Sequence, residues 1–268
     1  MQVTGNVFVV TGGGNGIGRE VVLGLLDRGA RVAAVDLSAD GLAETASIAR
    51  AADRLSTHTV DITDRGAVDA LPEAVHAAHG RVDGLLNVAG IIQPFVRFAE
   101  REPRQMEKVM AVNFWGVVHT TQAFLPHLTT RREAAVVNVS SMGALAPVPG
   151  QSVYGASKAA VMLLTEALYA ELRDTTVSVT VVFPGGVATH IAENSGASIP
   201  GRSADAADSA GSLTTAPDAA RQIIEKGVEK GHFRVVIGKD AIMLDRLSRL
   251  SPRRATELIA KKMESLLS

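Results

Sequence analysis

The sequence predicts an α/β fold of the open, doubly wound kind. Seven parallel strands should form one sheet with helices on both faces, as a single domain over residues 1–268. Three observations carry that prediction. Short β-branched runs alternate with longer stretches of helical period, and parallel strands need such crossovers. A glycine-rich turn lies directly between the first run and the first helical stretch, which favours a doubly wound sheet over an eight-fold barrel of similar length. The chain has 268 residues, 46% apolar and 21% charged, which suits one substantial core and is short for two independent ones.

In chain order, the strands are expected at Val7–Val10, Arg31–Asp36, Ser56–Val60, Gly84–Val88, Ala135–Val139, Val177–Phe183 and Arg234–Ile237. Helices are expected between them, at Ile17–Arg28, Gly41–Ala52, Arg65–Ala78, Arg104–Leu128, Ser152–Arg173 and Pro217–Lys230. Asp64 stands where an N-cap of the third helix belongs. One stretch breaks the rhythm: Gly185–Thr215 is rich in Gly, Ala and Ser and has little periodicity. It follows the sixth strand and so hangs over the carboxyl edge of the sheet, where ligands bind in such folds. It reads as a substrate lid, the alternative being a disordered insertion. Asp240–Leu267 reads as an amphipathic helix interrupted at Ser251-Pro252, suited to packing on the domain or on a neighbouring subunit; binding to a membrane surface is the other reading.

Composition narrows the function. A formal net charge of −1 provides no basic field for nucleic acid or acidic lipid, and 4% aromatic residues leave little for base stacking. The chain has no cysteine, so disulfides, thiolate metal sites and a cysteine nucleophile are excluded, in keeping with a reducing cytoplasm. The start, M-Q-V-T-G-N, lacks the charged leader and apolar core of a signal peptide, and no apolar run approaches the roughly 20 residues needed to span a bilayer. The seven histidines show no metal-ligand spacing. Cytoplasmic placement and no resident metal are the resulting expectations.

Two groups of residues point to chemistry. The first strand ends in T-G-G-G-N-G-I-G, Thr11 to Gly18, before a helical pattern. Glycines there allow a tight turn and close approach of backbone to a pyrophosphate, and the helix N-terminus favours an anion. Asp36 ends the second strand, where a carboxylate can accept hydrogen bonds from adenosine ribose hydroxyls; the bland reading is a solvated acid at a strand end. Its charge repels a 2′-phosphate, and neither Asn15 nor Leu37 is a compensating cation, so NAD is favoured over NADP. Asp61 could meet the adenine edge. Asn87-Val88-Ala89-Gly90 closes the fourth strand with small residues past which a cofactor can run.

The second group is Y-G-A-S-K. Tyr154 and Lys158 are four residues apart and so share one helix face. A phenol beside an ammonium is a candidate acid/base pair. At about 4 Å and an effective dielectric of ~20 the charges interact by about 4 kcal/mol, which favours the phenolate. An exposed helix face is the alternative for this pair alone.

Taken together, T-G-G-G-N-G-I-G, N-V-A-G, Asn113, V-S-S-M-G, Y-G-A-S-K and P-G-G-V-A-T resemble the short-chain dehydrogenase/reductase family in order and spacing, from Thr11 to Thr189. The resemblance implies a Rossmann-type fold and an NAD-dependent oxidoreductase. It implies a catalytic set of Asn113, Ser141, Tyr154 and Lys158. For the cofactor it implies Gly12, Asn15, Gly16, Ile17 and Gly18 at the pyrophosphate turn, Asp36 and Leu37 at the adenosine ribose, and Asp61 and Ile62 at the adenine. Asn87, Ala89 and Gly90 would follow from the fourth strand, with Pro184, Gly185, Val187 and Thr189 on the nicotinamide side. One departure stands out: the family often has a second asparagine where this chain has Val88, which puts local hydrogen bonding of the central sheet in question.

The implied reaction is hydride transfer between nicotinamide and a secondary alcohol or ketone, with an NADPH-dependent carbonyl reductase and a non-catalytic dinucleotide-binding protein as competing readings. Tyr154 would exchange the proton, Lys158 would lower its proton affinity, and Ser141 would hold the substrate oxygen. Asn113 would hold a water linking Lys158 to solvent. Met142, Gly143, Gln151, Gly186 and His190 are the expected substrate neighbours beside Ser141 and Tyr154, with Ala144, Val148 and Ile191 as further pocket neighbours. This mostly apolar set suggests a neutral, lipophilic substrate. Homo-oligomers, tetrameric or dimeric, are implied by the resemblance, with the long helices Arg104–Leu128 and Ser152–Arg173 as contacts.

Overall fold

The computed structural model describes residues 1–51, 53–189, 191–197 and 213–264. Its centre is a seven-stranded sheet built from β1 (Val7–Thr11), β2 (Arg31–Asp36), β3 (Leu55–Thr59), β4 (Gly84–Asn87), β5 (Ala134–Val139), β6 (Val177–Pro184) and β9 (Arg234–Ile237). The spatial order is β3-β2-β1-β4-β5-β6-β9 and every pairing is parallel. Each expected strand is present within a residue or two of its bounds. The near-continuous apolar runs follow from a sheet covered on both faces: β1 and β5 are buried along their whole lengths.

One face packs against α1 (Gly16–Asp27), α2 (Ala39–Ala49), α9 (Ala216–Gln222) and the turn after it, through Val21, Val22, Leu25, Ile223 and Ile224. The other packs through Val68, Leu71, Val75, Phe124 and Leu128 from α3 (Arg65–Asp69), α4 (Leu71–His79) and α6 (Gly116–Leu128), with Leu168 from α7 (Ser152–Glu171). The chain order reverses between β1 and β4, and this opens a crevice at their carboxyl ends.

Three long helices differ from expectation. Arg65–Ala78 is divided at Ala70 because Pro72 falls in the first turn of α4, where it has no N–H to give to a continuing ladder. Arg104–Leu128 is α5 (Pro103–Met110), a π-turn at Ala111–Trp115, and α6. Pro217–Lys230 is α9 followed by a π-turn at Ile223–Glu229. Within the expected lid, β7 (Val187–Ala188) pairs with β8 (Thr214–Thr215) and α8 spans Ile191–Asn194. The rest of the lid, from 198 to 212, and His190 lie outside the described residues. The expected C-terminal helix is a pair, α10 (Lys239–Leu250) and α11 (Pro252–Lys262), broken at Ser251 as the proline requires. Leu244, Ala255 and Ile259 of this pair pack over Met142, Ala146 and Val148.

Candidate active site

Above the crevice lies a cavity of about 600 Å³, and its floor is the turn after β1. Gly12 has φ +74°, and a side chain there would come within 2.9 Å of the Ala89 backbone; one at Gly18 would run into the Gly12 carbonyl. Only glycine permits so flat a floor. The first turn of α1 carries no acidic residue, so its free N–H groups face the cavity without a competing anion.

At the adenosine end, Asp36 is held by two main-chain donors. Gly14 N donates to Oδ2 and Ser38 N to Oδ1, each at 2.9 Å. The carboxylate is thereby oriented before any ligand arrives. Asp61 has one oxygen in a local turn, accepting from Thr63 N at 2.8 Å and Thr63 Oγ1 at 2.7 Å, while Ile62 gives the cavity an apolar wall. Glycine floor, helix N-terminus, fixed carboxylate and apolar wall together fit a dinucleotide.

The reactive end is built on α7. Tyr154 lies in its first turn and Lys158 one turn on, and both reach the cavity beside Ser140 and Ser141. Ser141 Oγ accepts from Gly143 N at 3.0 Å, and its hydroxyl is the neighbour that favours the charged form of the Tyr154 phenol. Lys158 is buried; its Nζ donates to Val139 O at 2.9 Å, close to Gly90.

The electrostatics differ from the expectation drawn from spacing. Burial pushes the Tyr154 phenol above its ordinary value, and only the Ser141 hydroxyl pulls it down. Lys158 is not among the groups that lower the phenol, whose proton affinity is set chiefly by desolvation. The ammonium itself is destabilised by burial, to about 8.

Most of the expected cofactor residues line this one cavity: Gly12, Asn15, Gly16, Ile17, Gly18, Asp36, Leu37, Asp61, Ile62, Ala89, Gly90, Tyr154, Lys158, Pro184, Gly185, Val187 and Thr189. Asn87 does not. Its amide is buried beneath the sheet edge, where Nδ2 donates to Asn138 Oδ1 at 2.9 Å and Thr121 Oγ1 at 3.2 Å, and Oδ1 accepts from Thr120 Oγ1 at 2.8 Å. Strand alternation explains the exchange of roles: Asn87 braces the sheet, and Val88 lines the cavity instead. The missing second asparagine therefore leaves no gap in the central hydrogen bonding.

Asn113 is also buried and off the cavity lining. Its Nδ2 donates to Ile91 O at 2.9 Å and Ser157 Oγ at 3.0 Å, and its Oδ1 accepts from Ile91 N at 2.8 Å. It sits in the π-turn, where the regular helical ladder is interrupted.

Of the expected substrate neighbours, Ser141 and Tyr154 line the cavity and four do not. Met142 packs on the C-terminal helices. Gly143 and Gln151 border a separate pocket of about 200 Å³. Gln151 is bound to Gln93. Gly186 N donates to Asp240 Oδ2 at 2.7 Å, and Gly186 is off the lining between Gly185 and Val187, which are on it. Ile91, Ile92, Ile191, Asn194, Lys108 and Val112 take their place. Ile191 is among the residues the sequence offered as a pocket neighbour, whereas no sequence pattern marks Ile91, Ile92, Asn194, Lys108 or Val112.

Comparison with known proteins agrees with this geometry. Residues 6–199 match the short chain dehydrogenase family. A Mycobacterium tuberculosis protein (strain H37Rv) carrying the name oxidoreductase SadH is 38% identical, with 96% of this chain and 94% of its own covered. The 2-(R)-hydroxypropyl-CoM dehydrogenase of Xanthobacter autotrophicus is 36% identical, with 68% of this chain and 75% of its own covered. A short-chain dehydrogenase/reductase from Burkholderia phymatum, crystallised with NAD, superposes with a TM-score of 0.84 at 28% identity, over 96% of this chain and 97% of that one. One from Burkholderia cenocepacia, crystallised with NADP, gives a TM-score of 0.80 at 25% identity, over 97% and 99%. The chain belongs to the short-chain dehydrogenase/reductase family and is an oxidoreductase of that family.

Proposed function

We propose that this chain transfers hydride between NAD(H) and a neutral, lipophilic secondary alcohol or its ketone. The observation that carries the reading is the meeting of Ser141, Tyr154 and Lys158 in a cavity that Asp36 closes at the far end. The name of the Xanthobacter relative specifies a secondary hydroxyl, which supports the reaction class. NAD supplies the hydride acceptor at its nicotinamide.

In oxidation, Tyr154 Oη takes the alcohol proton while the substrate carbon loses hydride, so the C–H electron pair leaves and the carbonyl forms. Ser141 Oγ holds the substrate oxygen and stabilises charge on it. Lys158 would hold the nicotinamide ribose, and its charge would favour the phenolate of Tyr154. Asn113, whose side chain is committed to Ile91 and Ser157, acts by holding the π-turn main chain where the outgoing proton is relayed. Ile91, Ile92 and Ile191 support an apolar substrate.

NAD rather than NADP is supported by the preset carboxylate of Asp36. Arg19, whose guanidinium bonds the carbonyl of Gly14, is also occupied by Glu44 at 2.5 Å. A screen of apolar secondary alcohols, followed by NADH absorbance, tests the reading. Turnover should favour NAD⁺ over NADP⁺ by at least about tenfold, and Asp36→Ala should erase most of that preference. A preference for NADP⁺ in the unaltered chain would overturn the assignment.

A further inference from the structure

Gln93 is a buried amide in the loop after β4, 1% exposed, and it does not line the cavity. Every hydrogen-bonding group it has is nonetheless engaged. Nε2 donates to Gly150 O at 2.8 Å, Oε1 accepts from Tyr154 N at 3.1 Å, and the main-chain N–H donates to Gln151 Oε1 at 3.4 Å. Its carbonyl accepts from Gln151 Nε2.

The bond to Tyr154 N has a particular meaning. The first N–H groups of a helix have no partner within it, and a side chain just before the helix ordinarily serves one of them. In α7 the residue at that place, Gln151, makes no such bond to its own helix. The donor at Tyr154 is served instead by a residue 61 positions earlier in the chain. On the other side of the same residue, Ser157 Oγ donates to Tyr154 O at 2.7 Å and accepts from Asn113 Nδ2. The Tyr154 N–H is therefore fixed from outside the helix, and its carbonyl by a serine of the same helix that Asn113 anchors. Arg101 braces the same loop, with Nη2 donating to Pro94 O, Val96 O and Gly150 O.

We propose that Gln93 is a positioning residue for hydride transfer: its amide caps the first turn of α7 at Tyr154 and sets where the phenol stands. The proposal rests on the reading of Tyr154 as the acid/base. Helix ends fray, and a general acid must stand within hydrogen-bond reach of the proton it moves.

Gln93→Met keeps the length of the side chain and removes its bonds, whereas Gln93→Glu keeps an acceptor for Tyr154 N. In Gln93→Met, kcat should fall about 10- to 100-fold, as expected for a misplacement near 1 Å, with NAD⁺ affinity within about threefold of the parent. Gln93→Glu should recover most of the loss. The chain has two tyrosines, Tyr154 and Tyr169, so 3-fluorotyrosine in a Tyr169→Phe background gives one fluorine resonance, that of Tyr154. That resonance should shift or broaden in Gln93→Met and stay near the parent position in Gln93→Glu. If Gln93→Met does not fold, Gln93→Asn, too short to reach Tyr154 N, is read in the same way. An unchanged resonance with kcat within about twofold of the parent overturns the proposal, since a loss of the cap without consequence contradicts a positioning role. If the unaltered chain turns over no alcohol, hydride transfer fails as a reading, and the resonance alone decides whether Gln93 sets the phenol.

Discussion

Lys158 is a cation enclosed by protein, held by one carbonyl and, among the described residues, by no carboxylate. Its folded value of about 8 lies below the 10.5 of a free lysine. The sign follows from linkage. Between those values the unfolded chain binds more protons than the folded one, so stability rises with pH across that window. Below about 8 the charge is carried in both states and its burial weakens the fold, by about 3 kcal/mol at most. Lys158→Met should therefore stabilise the ligand-free chain at pH 7 by about 1–3 kcal/mol, with the advantage shrinking by pH 9.5. Urea unfolding at the two pH values measures this; equal gaps at both would show that the lysine is not desolvated.

At the scale of elements, the sheet's polar interior is as informative as its cavity. Asn87 on β4 joins Asn138 on β5 to Thr120 and Thr121 on α6, and Asn138 Nδ2 goes on to Thr165 Oγ1 of α7 at 3.0 Å. Asn87→Leu strands several buried polar groups and should cost about 2–4 kcal/mol in chemical denaturation. NAD⁺ affinity of the folded fraction should stay within about threefold, and a selective loss of affinity would return Asn87 to the cofactor site.

The strands and most helix limits were legible because β-branched runs and glycine or proline punctuation are local signals. The π-turn at Asn113 was not, since its residues keep the apolar spacing of the surrounding helix. Nor was the role of Gln93, whose partners Gly150, Gln151 and Tyr154 meet it only in the folded chain. Gln151 was misplaced for the same reason: a polar residue beside Tyr154 looks like a ligand contact until its buried partner is known.

At the scale of the molecule, parallel topology gathers the ends of β1, β2, β4, β5 and β6 at one edge, and so brings Gly12, Asp36, Ala89, Ser141 and Pro184 around one cavity. The opposite concern is what the surface leaves uncovered. Trp115 is 51% exposed and Leu163 65% exposed, on the two long helical elements. Tyr169 and Phe233, also partly exposed, meet in a tilted contact with ring centroids 4.5 Å apart. We propose that these elements are covered by further copies of the chain, because large exposed apolar side chains mark association surfaces. Light scattering should give a mass of two or four chains, and Leu163→Arg should reduce it; a monomer at micromolar concentration contradicts the assignment.

The functional account turns on whether the Tyr154 oxygen exchanges the substrate proton. The direct measurement is turnover and NAD⁺ binding of Tyr154→Phe beside the parent enzyme. The ring and its packing are retained, so binding should persist within about threefold while kcat falls by about 10²–10⁴. Undiminished turnover by the phenylalanine variant would contradict the account.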